Sequence, residues 1–449
     1  MITRTGVILG KVSIKDKKKF TITHLGYGKR VTSISRAKTS GKYTRLPRFA
    51  HTVLKSITGL VNNLQEGLDC KFSSTLTLKP DQEIILEYLK QNVYSKENRL
   101  RGTASTILQM NPGCGKTYVA MAVIHYIQKK TLIIVPNIYI LRQWTDALES
   151  IFSSCIGCYY GIKKIDGDIV VAVINSAMSY PDYDNCGLII YDEVHLYCSS
   201  KSANIFTKAQ AQCCLGLSAT PTGRIDGFDR ILQWELGNII YAQKIPKMSS
   251  SNVVYSTKVL RVSYNGADEY TQHLVSSAGV ASVPLMLNQI QNDPQRNNLI
   301  IQHATRLYNN GKNVFVFSDR RAHLIELGTL LNKSGYGFDA PELDIRRLMG
   351  GASDDDIKKA TTHGRIILTT YQYTAVGVSI TKMNAIILAT PRRSNMRQIL
   401  GRIYRLTSDA SIQREIVDIV DNKTCLKNQY YDRKKEYHHL HADIEYVIN

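Results

Sequence analysis

At 449 residues the chain is too long for one comfortable hydrophobic core and predicts several domains. Its hydrophobic and charged fractions, 43% and 21%, fit a soluble globular protein, and no apolar run approaches membrane-spanning length. The formal charge of +20, from 57 Lys and Arg against 37 Asp and Glu, favours a polyanionic partner.

The charge is uneven. Residues 1–80 hold 16 Lys and Arg against 3 Asp and Glu, while the rest of the chain holds 41 against 34. Polar and apolar residues alternate on both sides of the lysine run at 15–19, as in a β-hairpin. Residues 1–75 therefore read as a small, basic, β-rich accessory domain that binds nucleic acid. The apolar start is too short for a secretory signal, and nine irregularly spaced cysteines suit a reducing, intracellular compartment. Cys155 and Cys158 form a lone CxxC; a zinc site wants a second pair, which Cys186, Cys198, Cys213 and Cys214 do not supply.

From about residue 80 the pattern changes. Short apolar runs at 105–110, 131–136, 168–173, 188–193 and 215–220 read as buried strands of a mostly parallel sheet, with a helix over 118–130. A polar, serine-rich stretch at 242–256 reads as a linker. A second strand series follows at 313–318, 365–370, 384–390 and 415–421. The predicted fold class is α/β, with two tandem parallel-sheet domains at 76–245 and 246–425. Residues 426–449, with their HHLH run, read as a polar C-terminal tail.

Between the first strand and first helix lies Asn111, Pro112, Gly113, Cys114, Gly115, Lys116 and Thr117. Glycines there let backbone N–H groups converge on phosphate oxygens at a helix N-terminus. Lys116 would reach the β- and γ-phosphates of ATP and Thr117 would ligate Mg²⁺, although Met110 stands where the full pattern has glycine. Asp192 and Glu193 end a buried strand; Asp192 would hold the Mg²⁺ shell and Glu193 would deprotonate the attacking water. Ser218 and Thr220 end another strand, where their hydroxyls could relay the state of the γ-phosphate. Gln82, just upstream, could read the adenine edge.

Gln398, Arg402 and Arg405 fall at i, i+4 and i+7, one stripe on a helix whose other positions, Ile399, Leu400 and Ile403, turn to a core. Phosphate loop, DExH box, SAT motif and QxxGRxxR helix together resemble the superfamily 2 helicases over about residues 76–422. That resemblance implies two RecA-like domains clamping ATP, with nucleic acid running across both. It implies arginine fingers at Arg402 and Arg405, and coupling roles for His195, Ser218, Thr220, Gly377 and Gln398. It also implies nucleic-acid contacts at Arg142, Ser176, Arg224 and Thr370. Ser379 stands about where the family carries an acidic residue after its motif-five glycine.

The R-x-D-G turn (Arg224, Asp226, Gly227) resembles XPB-like, UvsW-like and poxvirus transcript-release helicases. The stretches 389–405 and 430–437 resemble helicases of nucleocytoplasmic large DNA viruses. The implied activity is ATP-driven translocation on or unwinding of single-stranded or duplex DNA, 3′ to 5′, serving viral transcription. The implied setting is a virion or a viral factory in the host cytoplasm, with a viral RNA polymerase as a partner and no membrane. Three alternatives stay open: a duplex translocase or transcript-release ATPase that separates no strands, an RNA helicase, and an ATP-gated binding module with negligible turnover. Glu193, Arg402 and Arg405 argue against the last.

Overall fold

The computed structural model describes residues 1–25, 31–224, 226–248, 255–277, 279–333, 345–375, 380–405 and 411–448. It divides into two compact units, Met1–Ser250 and Ser251–Asn449.

The first unit is built on an eight-stranded sheet in the order Lys163–Ile165, Ile156–Tyr160, Ile169–Val173, Thr131–Val135, Leu188–Tyr191, Cys213–Ser218, Ser105–Gln109, Ile239–Tyr241. All neighbours are parallel except the first two strands, which form a hairpin. The central strands are buried along their whole length and mostly apolar because both faces are covered. Leu108, Ile133, Ile190 and Leu215 point to one face, where they pack with residues of the helices Pro80–Asn92, Lys116–Ile127 and Ile138–Ile151. Ile107, Leu132, Ile189 and Cys214 point to the other, against Ile2, Val7, Phe20, Leu46 and Leu54.

That second contact changes the reading of the N-terminal segment. It does form antiparallel β-structure: one four-stranded sheet and the pair Thr21–Leu25 with Val31–Ser35. It shares a core with the first unit, however, and is not a separately packed accessory domain. The lysine run is not in the hairpin either. Ser13 Oγ accepts the Asp16 N–H at 3.1 Å and caps a short helix, Ile14–Lys18, so the strand begins only at Thr21.

Part of the segment's basic charge is internal. Arg36 and Arg45 both pair with Glu235, Arg36 at 2.6 Å with both partners essentially inaccessible. Arg48, 1% exposed, donates to the carbonyls of Gly102, Ala211 and Gln212 at 3.0, 2.8 and 2.8 Å. A buried guanidinium is tolerated only when its donors are met in this way.

The second unit has a seven-stranded, wholly parallel sheet in the order Ile345–Leu348, Ile366–Thr370, Val314–Ser318, Ala385–Leu388, Arg414–Asp421, Thr257–Tyr264, Asp443–Ile448. The last strand corrects the expectation of a polar tail. Asp443–Ile448 pairs along Thr257–Tyr264, and the helix Gln429–His439 packs beneath. That helix buries Tyr430, Arg433 and Tyr437, so no aliphatic stripe announces it. Arg433 grips both oxygens of Asp418 at 2.9 Å and donates to the Arg392 carbonyl at 3.1 Å, while Tyr437 donates to Asp418 at 2.7 Å.

Candidate functional site

Parallel pairing places the C-terminal ends of Leu188–Tyr191, Cys213–Ser218 and Ser105–Gln109 side by side. Those ends carry the acidic pair, the SAT motif and the phosphate loop, so three sequence-distant motifs meet at one sheet edge. Such an edge is where open α/β sheets bind ligands.

The loop leaves its strand at Met110, whose N–H donates to the Ser218 carbonyl at 3.2 Å. Gly113 and Gly115 have φ of 83° and 80°, the left-handed region that glycine adopts freely. A Cβ at Gly115 would lie 2.2 Å from Gln82 Nε2, so the position also needs glycine for space. The helix begins at Lys116, leaving its first N–H groups available to an anion. Lys116 Nζ rests on the Met110 carbonyl at 3.4 Å. Thr117 lies in the first turn. Gln82 is buried with its amide engaged by the protein: Oε1 accepts the Lys79 N–H at 2.9 Å, and Nε2 donates to the Cys114 carbonyl at 3.2 Å. It braces the loop.

Asp192 is 9% exposed. One carboxylate oxygen accepts the Glu193 N–H and the other accepts the Trp144 indole N–H, both at 2.9 Å. Burial, and then the neighbouring Glu193 charge, push its carboxyl up to about 6, against the opposing pull of Lys116. Glu193 stands in the left-handed region at φ 47°, a strained setting for a non-glycine residue. Its Oε2 has no hydrogen-bond partner among the described residues. The nearest candidate, His195 Nδ1, is 3.4 Å away, and burial holds that imidazole neutral by lowering it to about 4. His195 Nδ1 lies 3.0 Å from Ser218 Oγ, which also accepts the Thr220 N–H at 3.0 Å. His195, Ser218 and Thr220 thus form one hydrogen-bonded chain beside the carboxylates.

These groups fit a nucleoside triphosphate with a hard divalent cation. An ammonium, a hydroxyl and helix N–H groups lie at the same end of the sheet as two adjacent carboxylates, buried Asp192 and half-buried Glu193, whose mutual repulsion a nearby positive charge relieves. Trp144 has no part in the motif reading. Its only signal in the sequence is an apolar position on a helix.

The candidate nucleic-acid residues are more dispersed. Arg142 is exposed on the helix Ile138–Ile151, and Ser176 is half-buried on Ile174–Ala177. Arg224 is held by Asp226 at 2.9 and 2.6 Å, closing the R-x-D-G turn on itself. Thr370 Oγ1 accepts the Tyr373 N–H at 3.2 Å, a local cap. Gly377 and Ser379 lie outside the described residues.

In the second unit Gln398 and Arg402 are both 6% exposed. The α-helix is shorter than the stripe requires: it spans Met396–Leu400, tightens to a 3₁₀ turn over Gly401–Ile403, and leaves Arg405 beyond it. Arg414 Nε donates to the carbonyl of Ile403, the last residue of that turn, at 2.6 Å. Arg393–Asp432 at 2.6 Å and Arg397–Glu436 at 3.0 Å tie this segment to the C-terminal helix.

A family model, type III restriction enzyme, res subunit, matches residues 75–223. A protein of African swine fever virus, QP509L, named as a candidate ATP-dependent RNA helicase, is 32% identical over 352 residues, covering 74% of this chain and 68% of that protein. The chain belongs to the superfamily 2 helicases of large DNA viruses. The transcript termination protein A18 of Yaba-like disease virus is 26% identical over 380 residues, 78% of this helicase and 74% of the relative. The fold matches the solved structure of S. cerevisiae Dbp5 bound to RNA and ADP BeF3, with a TM-score of 0.52 and 12% identity over 83% of this chain and 94% of that one. Its two sheets are RecA-like, and membership carries nucleic-acid-dependent ATP hydrolysis. Among the described residues no helix is long and apolar enough to cross a membrane.

Proposed function

We propose that this helicase is an ATP-driven DNA translocase acting in viral transcription, with residues 76–245 as its ATP-binding half and 246–425 as its second half. The observation that carries the ATP site is the meeting of three motifs at adjacent strand ends. Lys116 and the loop N–H groups hold the phosphates, and Thr117 and Asp192 hold Mg²⁺. The ion, when bound, neutralises charge on the phosphate oxygens. Glu193, with an oxygen that accepts no hydrogen bond among the described residues, takes the proton of the attacking water. His195, Ser218 and Thr220 link that event to the loop, and Gln82 keeps the loop in shape. Arg402 and Arg405 supply guanidinium charge to the transition state, with Gln398 beside them.

Arg142, Ser176, Arg224 and Thr370 are proposed to approach the nucleic-acid backbone, with exposed lysines of the N-terminal segment adding charge. The name of A18 supports a role in transcript termination, and the R-x-D-G turn supports DNA as the track. A second reading, an RNA-directed motor, is favoured by the name of the African swine fever virus relative. Steady-state ATPase rates with no nucleic acid, single-stranded DNA, duplex DNA and RNA decide between them. DNA should stimulate most. Stimulation by RNA alone would transfer the track to RNA, and a rate indifferent to all three would overturn the motor.

A further inference from the structure

We propose that Trp144 is a positioning residue that carries nucleic-acid contact to the ATP site, by fixing Asp192 from a helix that bears Arg142 on its outer side. The inference rests on the roles just given to Asp192 and Arg142. Its new element is the indole.

Two hydrogen bonds hold the Asp192 carboxylate, one on each oxygen. The first comes from the N–H of the next residue, Glu193, and is local to that strand end. The second comes from Trp144 Nε1 at 2.9 Å, 48 positions away in the chain. It therefore depends on where the helix Ile138–Ile151 sits. Trp144 is 2% exposed, so little water competes for the bond. A buried indole N–H needs some acceptor, and a backbone carbonyl would satisfy it equally well. Here it is spent on the one carboxylate assigned to the cation. Groups that orient metal-binding carboxylates in this way set how tightly the ion is held.

The helix supplies the link outward. Asn137 caps it, with Oδ1 accepting the Ile140 N–H at 2.9 Å. Ile140, Leu141 and Leu148 join Trp144 in the core. Arg142 precedes Trp144 by two residues, about 200° around a helix, and is exposed. A phosphate pulling on Arg142 would displace a rigid rod whose opposite side holds Asp192. The same rod would report cation binding back to the surface, as thermodynamic coupling requires.

The chain contains two tryptophans, which makes the idea measurable. Trp234 packs edge-on against Phe20 on the other face of the sheet, so Trp234→Phe leaves Trp144 as the sole tryptophan, which long-wavelength excitation selects over the 26 tyrosines. In that background, Mg²⁺ with a non-hydrolysable ATP analogue, and single-stranded DNA, should each shift the Trp144 emission. Arg142→Gln should remove the DNA response and spare the nucleotide response. An emission that ignores both ligands overturns the proposal.

The second experiment uses Trp144→Phe, which keeps the ring and deletes the donor. The Mg²⁺ concentration for half-maximal binding of a fluorescent ATP analogue should rise about 10–100-fold. The extent to which DNA stimulates hydrolysis should fall with it. A folded Trp144→Phe protein with unchanged Mg²⁺ titration and unchanged stimulation overturns the proposal. Asp192→Ala is the control that separates the two layers. If Asp192→Ala leaves Mg²⁺-dependent binding intact, the role of Asp192 fails, and the Trp144 proposal fails with it. If Asp192→Ala abolishes it while Trp144→Phe does not affect it, the inference about Trp144 alone is wrong.

Discussion

The candidate residues of the two units are held in place by different means. In the first, Asp192, Glu193 and Ser218 sit at the ends of neighbouring parallel strands, where backbone hydrogen bonds set their spacing, and Lys116 opens the helix that follows the next strand. In the second, Gln398 and Arg402 sit on a five-residue helix and the 3₁₀ turn that follows it, with side-chain bonds from Arg414, Asp432 and Glu436 as supports. Sheet register tolerates substitution of side chains. A segment fixed by side chains does not share that tolerance, so its chemistry and its stability are entangled.

The largest effect is expected at Arg402. Replacing it with Ala should slow hydrolysis by about 10³–10⁵-fold while ATP binding survives, the loss typical of an arginine finger. Measuring the melting temperature beside the rate sharpens the comparison. A large fall in stability with little loss of rate would make this buried arginine a structural prop.

Next comes the pair beneath the C-terminal helix. Arg433→Leu takes the countercharge from Asp418 at 0% exposure, leaving it the Tyr437 hydroxyl, and should cost about 3–5 kcal/mol, read as an early unfolding transition. A change below about 1 kcal/mol would mean that the helix Gln429–His439 is dispensable, as a tail would be.

A pH effect should follow in the second unit. His323 Nε2–H donates to Asn297 Oδ1 at 2.9 Å, because the Asn297 amide N–H₂ is engaged by the Gln291 carbonyl. His323 Nδ1 therefore accepts from Ser318 Oγ at 3.0 Å. Burial, followed by the Arg296 charge, lowers this imidazole to about 3. A folded value below the unfolded one gives stability that is complete above about pH 6.5 and is lost as pH falls towards 3. Unfolding curves across that window should therefore be flatter with pH in His323→Gln. Equal slopes in the two proteins would remove His323 from the account.

The smallest effect is assigned to Arg397→Ala. Its bond to Glu436 is 43% exposed on the arginine side, so solvent screening leaves about 0.2–1 kcal/mol. A larger loss, erased by testing the change in a Glu436→Ala background, would show that this pair helps aim the arginine segment.

The legible parts of the sequence share a cause. Strands such as Leu188–Tyr191 and Ala385–Leu388 are covered on both faces, so they appear as unbroken apolar runs. The phosphate loop is legible because its demands, glycine at positive φ and a helix start, are local in the chain. What escaped was decided by distant partners. Arg36 looks like any surface arginine until Glu235, 199 positions away, is seen to hold it. Asp443–Ile448 has an irregular burial pattern and is recognisable only through its pairing with Thr257–Tyr264. Trp144 is equally silent, since an indole that fills a core and one that also orients a carboxylate have the same spelling. Thr370 shows the reverse case, where a residue expected to touch nucleic acid has an ordinary capping bond to explain it.

The central claim is that the three strand ends form a hydrolytic ATP site with Glu193 as its base. The direct measurement is single-turnover hydrolysis of Mg²⁺·ATP by Glu193→Gln, with nucleotide binding followed in the same samples. Binding should stay close to that of the unsubstituted protein while the hydrolysis rate falls by about 10²–10⁴-fold. Hydrolysis at the unsubstituted rate would contradict the claim and send the search for the base elsewhere.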